Sequence, residues 1–271
     1  MLEDDSYVVQ MEIRRALLAF GQSLEEETRS LWYGLDAENK LILDQILEQI
    51  DRESLDVRWM GWLEQGNSAT GLEAALASIS LLETGEQPGE AGVLLDRLAK
   101  RFLKNYPTPG IPQLMEFLFR KVKFHATNDG QLQPTHHSLS YVLAHRCGSQ
   151  IMLSCVAILL ARRVGLQLDG IMIQGNFLPM SYHDRKLEMY NALNGGQPLA
   201  RASVMYVEEA LRRNHIMPTD MRATVSEIVL QIIRDLIDAH LKCQHQRKAR
   251  TYVVRYRLLI EELGRRGIAI T

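Results

Sequence analysis

The sequence predicts an α+β fold, and three observations predict it. Most of the chain carries apolar residues at helical spacing. One stretch, residues 151–164, is apolar nearly all the way round, with Ile151, Met152, Leu153, Cys155, Val156, Ile158, Leu159 and Leu160. A helix without a polar face is buried on most sides, so this one belongs at the centre of the domain. Directly after it the pattern shortens into strand-like pieces at 166–173, 177–180 and 187–190, with Asn194-Gly195-Gly196 as a turn. One buried helix followed by a small antiparallel sheet is an α+β core.

The other elements come in order. Ser23-Leu24-Glu25-Glu26 has the form of a capping box, which opens a helix through Trp32. Leu41, Ile42, Leu43, Ile46, Leu47 and Ile50 have helical spacing, and Trp59 and Trp62 share a helix face. Gly66-Asn67-Ser68 breaks the pattern. A helix hairpin then covers 72–83 and 89–102, with a Gly- and Pro-containing turn between. Pro107 and Pro109 stop the second helix, and Pro112 opens the next, where its missing N–H costs nothing. That helix runs through Phe119 and stops before Asn128-Asp129-Gly130. Ser149 caps the central helix and Gly165 ends it. Helices return at 206–213, at 224–242 with the stripe Val229, Ile232, Ile233, Leu236 and Ile237, and at 248–263 with Val253, Tyr256, Leu259, Ile260 and Leu263. The last two can form a solitary hairpin. The expected organisation is a helical segment 1–65, a helical lead-in 66–130, a core 131–205 and C-terminal helices 206–271.

Composition excludes several classes. The chain has 271 residues, 46% hydrophobic and 24% charged, with a net charge of −2. This is ordinary globular composition with room for a sizeable core. Three scattered cysteines make no disulfide framework and fit a reducing compartment. The acidic N-terminus is unlike a signal peptide. The longest apolar run, 151–161, is broken by Ser154 and is too short to span a membrane. The expectation is a soluble cytoplasmic protein. Charge is uneven: residues 1–100 carry roughly −12, from 20 acidic against 8 basic side chains, and the remainder roughly +10. Either the acidic part packs beside the basic part, or a basic face meets an acidic partner. The densest basic stretch, 242–257, holds Lys242, Arg247, Lys248, Arg250, Arg255 and Arg257 with Tyr252 and Tyr256. Tyrosine interleaved with arginine can stack on bases. The apolar stripe in the same stretch favours a packed helix with a solvated face, so nucleic-acid binding is the weaker reading.

A series of short motifs runs from Leu132 to Leu199: His137-Ser138-Leu139, Val142-Leu143, Arg146, Gly148, Leu153-Ser154, Ala161-Arg162-Arg163, Gly165-Leu166, Gly170, Gly175, Phe177-Leu178 and Asn194-Gly195-Gly196. This ordered series resembles the SirB-type branch of the transglutaminase-like superfamily. The helical lead-in 72–119 resembles the N-terminal part of those bacterial proteins, and the likeness covers roughly half of the chain.

The resemblance implies a catalytic thiol at the start of the buried helix, a histidine on the next strand and an Asp or Asn on the one after. A helix N-terminus and an imidazole together lower the pKa of such a thiol. The motifs put Gln150 at the nucleophile position, Asn176 at the histidine position and Asn191 at the orienting position. Gln150 is no nucleophile, and Asn176 cannot take and return a proton near neutral pH. Many SirB-type sequences lack the cysteine and keep the histidine; this one lacks both. The three amides could satisfy one another as a buried polar network lining a degenerate cleft.

An enzyme reading rests on Cys147, with His136, His137 and His145 nearby in sequence. Against it, free cysteine is usually a small core residue. His145 and Cys147 are two apart, which does not give them a shared helix face or a familiar zinc spacing, so no metal is expected. Tyr182, His183 and Asp184 fall in an expected hairpin loop, a fair place for binding. Gly195-Gly196 has neither the lysine nor the helix of a phosphate loop, and no cofactor is expected. The reading is a non-catalytic regulatory or scaffolding module with a protein partner. Its alternative is a cysteine-dependent hydrolase or acyltransferase using Cys147 and a nearby histidine.

Overall fold

The structure, a computed structural model, describes residues 57–85 and 89–268, with scattered positions between 16 and 45. The capping box at Ser23 and the helix through Trp32 lie outside the described residues. The chain divides into two compact units, Met1–Trp59 and Met60–Thr271, and the second holds the elements that position the site.

A 3-10 helix, Val57–Gln65, carries Trp59 and Trp62, both buried. Helix α1, Ala69–Thr84, starts where Ser68 accepts a hydrogen bond from Gly71 N at 2.9 Å. It ends at Gly85, whose φ of 71° is the left-handed cap that glycine adopts without strain. Helix α2, Gly89–Asn105, buries Ala91, Leu95, Ala99 and Phe102 at helical spacing. Helix α3, Ile111–Glu116, has Pro112 in its first turn and runs on as a π-helical turn, Phe117–Lys121. Val122 N closes that turn onto Phe117 O at 2.8 Å.

Three elements escape the periodicity reading. Strand β1, His125–Ala126, and strand β2, Cys147–Gly148, form a parallel two-stranded ladder. Helix α4, Leu139–His145, lies between them, capped by Ser138 and tied to α1 where Ser80 Oγ accepts from Leu139 N at 2.8 Å. Both strands are two residues long and α4 is seven, too short for an apolar period to show.

Helix α5, Gln150–Arg163, is the expected central helix, with Ile151 through Ala161 all buried. Arg163 fastens its C-terminal end to both earlier helices, meeting Glu73 on α1 at 2.6 Å and Asp96 on α2 at 2.8 Å. Strands β3 (Asp169–Ile173), β4 (Asn176–His183), β5 (Lys186–Asn191) and β6 (Gln197–Pro198) form an antiparallel sheet in that order. The two hairpins turn through Gln174-Gly175 and Asp184-Arg185, all four at positive φ, the backbone that suits the right-handed twist of the strands. Tyr182 and His183 are therefore paired strand residues, opposite Leu187 and Lys186, and only Asp184 of the expected loop trio lies in the turn.

The sheet packs on two sides. One face, with Ile171, Leu178, Met180, Leu187 and Met189, buries against Val204 of helix α6, Arg201–Arg213. The other lies on α5 through Phe177. Gly170 makes that possible, since a Cβ there would stand 2.1 Å from the Phe177 ring. Gly170→Ala is thus expected to overpack this seam and cost about 1–3 kcal/mol, read as a lower urea midpoint at unchanged slope. An unchanged midpoint would mean that the ring relaxes freely.

The chain then returns to β3, where Ala223 N donates to Gly170 O. Helix α7, Val225–Lys242, opens with a capping box between Thr224 and Glu227. Helix α8, Gln246–Arg265, packs along it. The hairpin is not solitary, because His240 and Tyr252 reach Glu83 on α1. The buried stripe of α8 is Ala249, Tyr252, Arg255, Leu259 and Leu263, so it is rotated from the expected one, and Val253, Tyr256 and Ile260 are only half-buried. A buried arginine displaces the expected stripe: the Arg255 guanidinium lies over the Tyr252 ring, 5.3 Å from its centroid.

Candidate functional site

The N-terminus of α5 is built by backbone hydrogen bonds from three segments. His125 N donates to Arg146 O, Thr127 N to Gly148 O, and Ser149 N to His136 O, at 2.9–3.0 Å. Gly148 is needed here, since a Cβ would meet Val142 Cγ2 at 2.5 Å. Ser149 then caps α5, accepting from Met152 N. One turn on, the buried Ser154 Oγ lies 2.8 Å from Gln150 O and 3.3 Å from Phe177 O, so its single proton joins the first turn of α5 to the start of β4.

This brings Gln150 and the Asn176–Phe177 segment into one neighbourhood, yet the three amides do not bond to one another among the described residues. Asn176 is exposed and donates to Gln174 O across its own turn at 3.4 Å. Asn191 accepts from Leu193 N at 2.9 Å, capping the short 3-10 turn Ala192–Asn194. Gln150 is half-buried with no side-chain hydrogen bond to another described residue. The expected mutual network is therefore replaced by local bonds, because turn and cap geometry offer both asparagines a backbone partner two residues away.

Cys147 is half-buried on β2. None of the three histidines considered from sequence hydrogen-bonds it. His145 stacks on Tyr141, with centroids 4.1 Å apart and Nδ1 3.0 Å from Tyr141 O. His136 Nδ1 accepts from Gln133 N at 2.8 Å. His137 is wholly buried and neither ring nitrogen has a partner. The parallel register instead sets His125 opposite Cys147. Sequence spacing gave no sign of that pair, since the two residues are far apart in the chain and meet only through a ladder of two residues each. Cys155, on α5, is fully enclosed, and burial pushes its thiol far above the usual range. Among the described residues no group of three His, Cys, Asp or Glu side chains could hold a metal ion. No helix among them is long and apolar enough to cross a membrane.

The densest set of titratable groups lies elsewhere. Glu83 on α1 accepts from Tyr252 OH at 2.9 Å and pairs with His240 Nε2 at 3.0 Å, with Lys248 3.9 Å away. Glu83 and His240 are 4% and 1% exposed, which makes this a buried pair. Burial alone would raise the Glu83 carboxyl; the hydrogen bond from His240, the charges of Lys248 and His240, and the Tyr252 hydroxyl outweigh it and hold the carboxyl below its ordinary range. On its other side the His240 ring meets His245, Nδ1 to Nδ1 at 3.4 Å. Residues 157 and 169 apart in sequence leave no local signal for such a cluster. The two tyrosines of the basic stretch are committed as well: Tyr252 is buried and Tyr256 OH accepts from Arg234 Nε at 2.9 Å.

Two curated relatives, both named UPF0162 protein and from the Temecula1 and 9a5c strains of Xylella fastidiosa, are 34% identical over 83 residues. That stretch is 31% of this chain and 30% of each relative, so the match spans under a third of their length. No solved structure matches. The transglutaminase-like superfamily profile matches residues 90–234, which run from α2 through the sheet into α7. That is more than half of the chain and contains the buried helix, the sheet and the site at their junction, so the chain belongs to the transglutaminase-like superfamily.

Proposed function

We propose that this protein is a non-catalytic, SirB-type member of the superfamily that acts in the cytoplasm as a regulatory or scaffolding binding module for a protein partner. The observation that carries the reading is the first turn of α5. It presents Gln150, and the amides of Asn176 and Asn191 are spent on their own backbone. A glutamine at a helix N-terminus has no nucleophile to activate. The same surface suits recognition through hydrogen bonds, since Gln150 offers both donor and acceptor and each asparagine retains the half of its amide that its backbone bond does not use.

A second reading, a cysteine-dependent hydrolase or acyltransferase, is favoured by one observation: His125 is the register partner of Cys147. Alkylation of the native protein by iodoacetamide, read by peptide mass spectrometry between pH 6 and 9, separates the two. The binding-module reading expects Cys147 to react no faster than free cysteine at pH 6.5. Labelling on the order of 100-fold faster, lost in His125→Ala, would overturn it, because the rate marks a thiolate at that pH and its loss with the imidazole assigns the thiolate to the pair.

A further inference from the structure

A cleft of about 410 Å³ opens between α3, β5 and the start of α6, a volume typical of small-molecule sites. Gln150, Asn176 and Asn191 do not line it, although Asn191 adjoins it through its backbone pairing with Gly196 and Gln197.

Three features mark the cleft as built. Its α3 wall leads into the π-helical turn Phe117–Lys121, an irregularity that recurs at functional sites. Gly196 on the facing loop has a φ of 68°, and a Cβ there would stand 2.3 Å from the Phe119 ring, so this glycine lets the loop seat directly on the π-turn. The lining combines apolar side chains, Pro112, Met115, Leu187 and Met189 among them, with charges of both signs.

Most of those charges are already spent. Lys186 Nζ lies 2.5 Å from Glu188 Oε1, and Tyr190 OH donates to Glu188 Oε2 at 2.8 Å. Arg201 pairs with Glu208 at 2.9 Å. The Glu116 carboxylate and the Arg120 guanidinium, in contrast, have no ion pair or hydrogen bond with any described residue, although four residues apart on a regular helix they would be natural partners. They sit at the edge of one apolar cleft as one free anion and one free cation.

We propose that this cleft binds a free apolar α-amino acid. Its carboxylate meets the planar fork of Arg120, its ammonium meets Glu116, and its side chain lies against Pro112 and Met115. A simple carboxylate would leave Glu116 opposing it, and a neutral apolar molecule would use neither charge. A zwitterion uses both.

The test is calorimetric titration of the full chain with L-leucine, N-acetyl-L-leucine and L-leucinamide, on wild type, Arg120→Gln and Glu116→Gln. Both side chains are exposed, so both variants are expected to fold. Leucine is expected to bind, and each substitution to weaken it by about tenfold, as loss of a charge-assisted hydrogen bond does. N-acetylleucine is expected to be weakened by Arg120→Gln and indifferent to Glu116→Gln; leucinamide is expected to show the reverse. No leucine binding at about 10 mM, the range of the weakest specific ligands, would overturn the proposal. So would leucine binding that neither substitution changes, or N-acetylleucine binding as tightly as leucine.

Discussion

Glu83→Ala is expected to destabilise the folded chain by about 2–6 kcal/mol in urea denaturation, since two buried groups lose their acceptor at about 1–3 kcal/mol each. The carboxylate is the common acceptor for Tyr252 OH and His240 Nε2, and both would be left buried without it. Glu83 also joins α1 to the α7–α8 hairpin, so the loss falls on the packing of three helices at once. Glu83→Gln keeps one acceptor oxygen and is expected to lose less. A Glu83→Ala variant within about 1 kcal/mol of wild type would mean that water replaces the carboxylate at the seam. The pH dependence has a definite sign. A carboxyl held below its ordinary value stabilises the fold above that value and loses the contribution as pH falls through the lowered one.

Acidification is expected to weaken the fold earlier than that, through His137. The side chain is wholly buried with no partner on either nitrogen, and burial lowers its pKa from 6.5 to about 4, with the charge of His136 acting in the same direction. The unfolded chain takes up a proton near pH 6.5 while the folded one resists until about 4. Between those values the unfolded state binds more protons, so stability falls as pH falls. The total is about 3 kcal/mol, from 1.36 kcal/mol per pH unit. Urea midpoints measured from pH 7.5 to 4 check this. His137→Leu is expected to flatten the decline between pH 6.5 and 4 while leaving the lower-pH loss due to Glu83. An unchanged slope in His137→Leu would assign the acid sensitivity to other groups.

The helices that were legible in the sequence carry their signals locally. The α5 segment announces itself by an unbroken apolar surface with Ser149 as its cap, whereas the caps at Ser68 and Thr224 are added by the structure. The hairpins at Gln174-Gly175 and Asp184-Arg185 were harder, because three of the four turn residues are not glycine and yet adopt positive φ. That is why Tyr182 and His183 read as loop residues. Helix α6 begins earlier than expected for a similar reason: Arg201-Ala202-Ser203 carries no apolar stripe. At the candidate site, the positions of Gln150, Asn176 and Asn191 could be proposed from motif order alone. Their hydrogen-bond partners could not, since those depend on turn and cap geometry. The His125–Cys147 register and the Glu83–His240–Tyr252 cluster are products of tertiary folding, joining segments whose own sequences carry no local mark of it.

The unbroken burial of α5 has a consequence for how the chain is made. Synthesis delivers α1, α2 and α4 before α5, so one side of the new helix finds its neighbours waiting. The other side must wait for β3 and β4, and Phe177 is released only after the helix is complete. Until then a fully apolar surface stands exposed on the nascent chain, the kind of surface on which partly folded chains associate. Chains truncated near residue 165 should therefore aggregate more than chains that extend through α6, in which both faces of the sheet are covered. The order of the elements makes the strands a cover that the helix needs promptly.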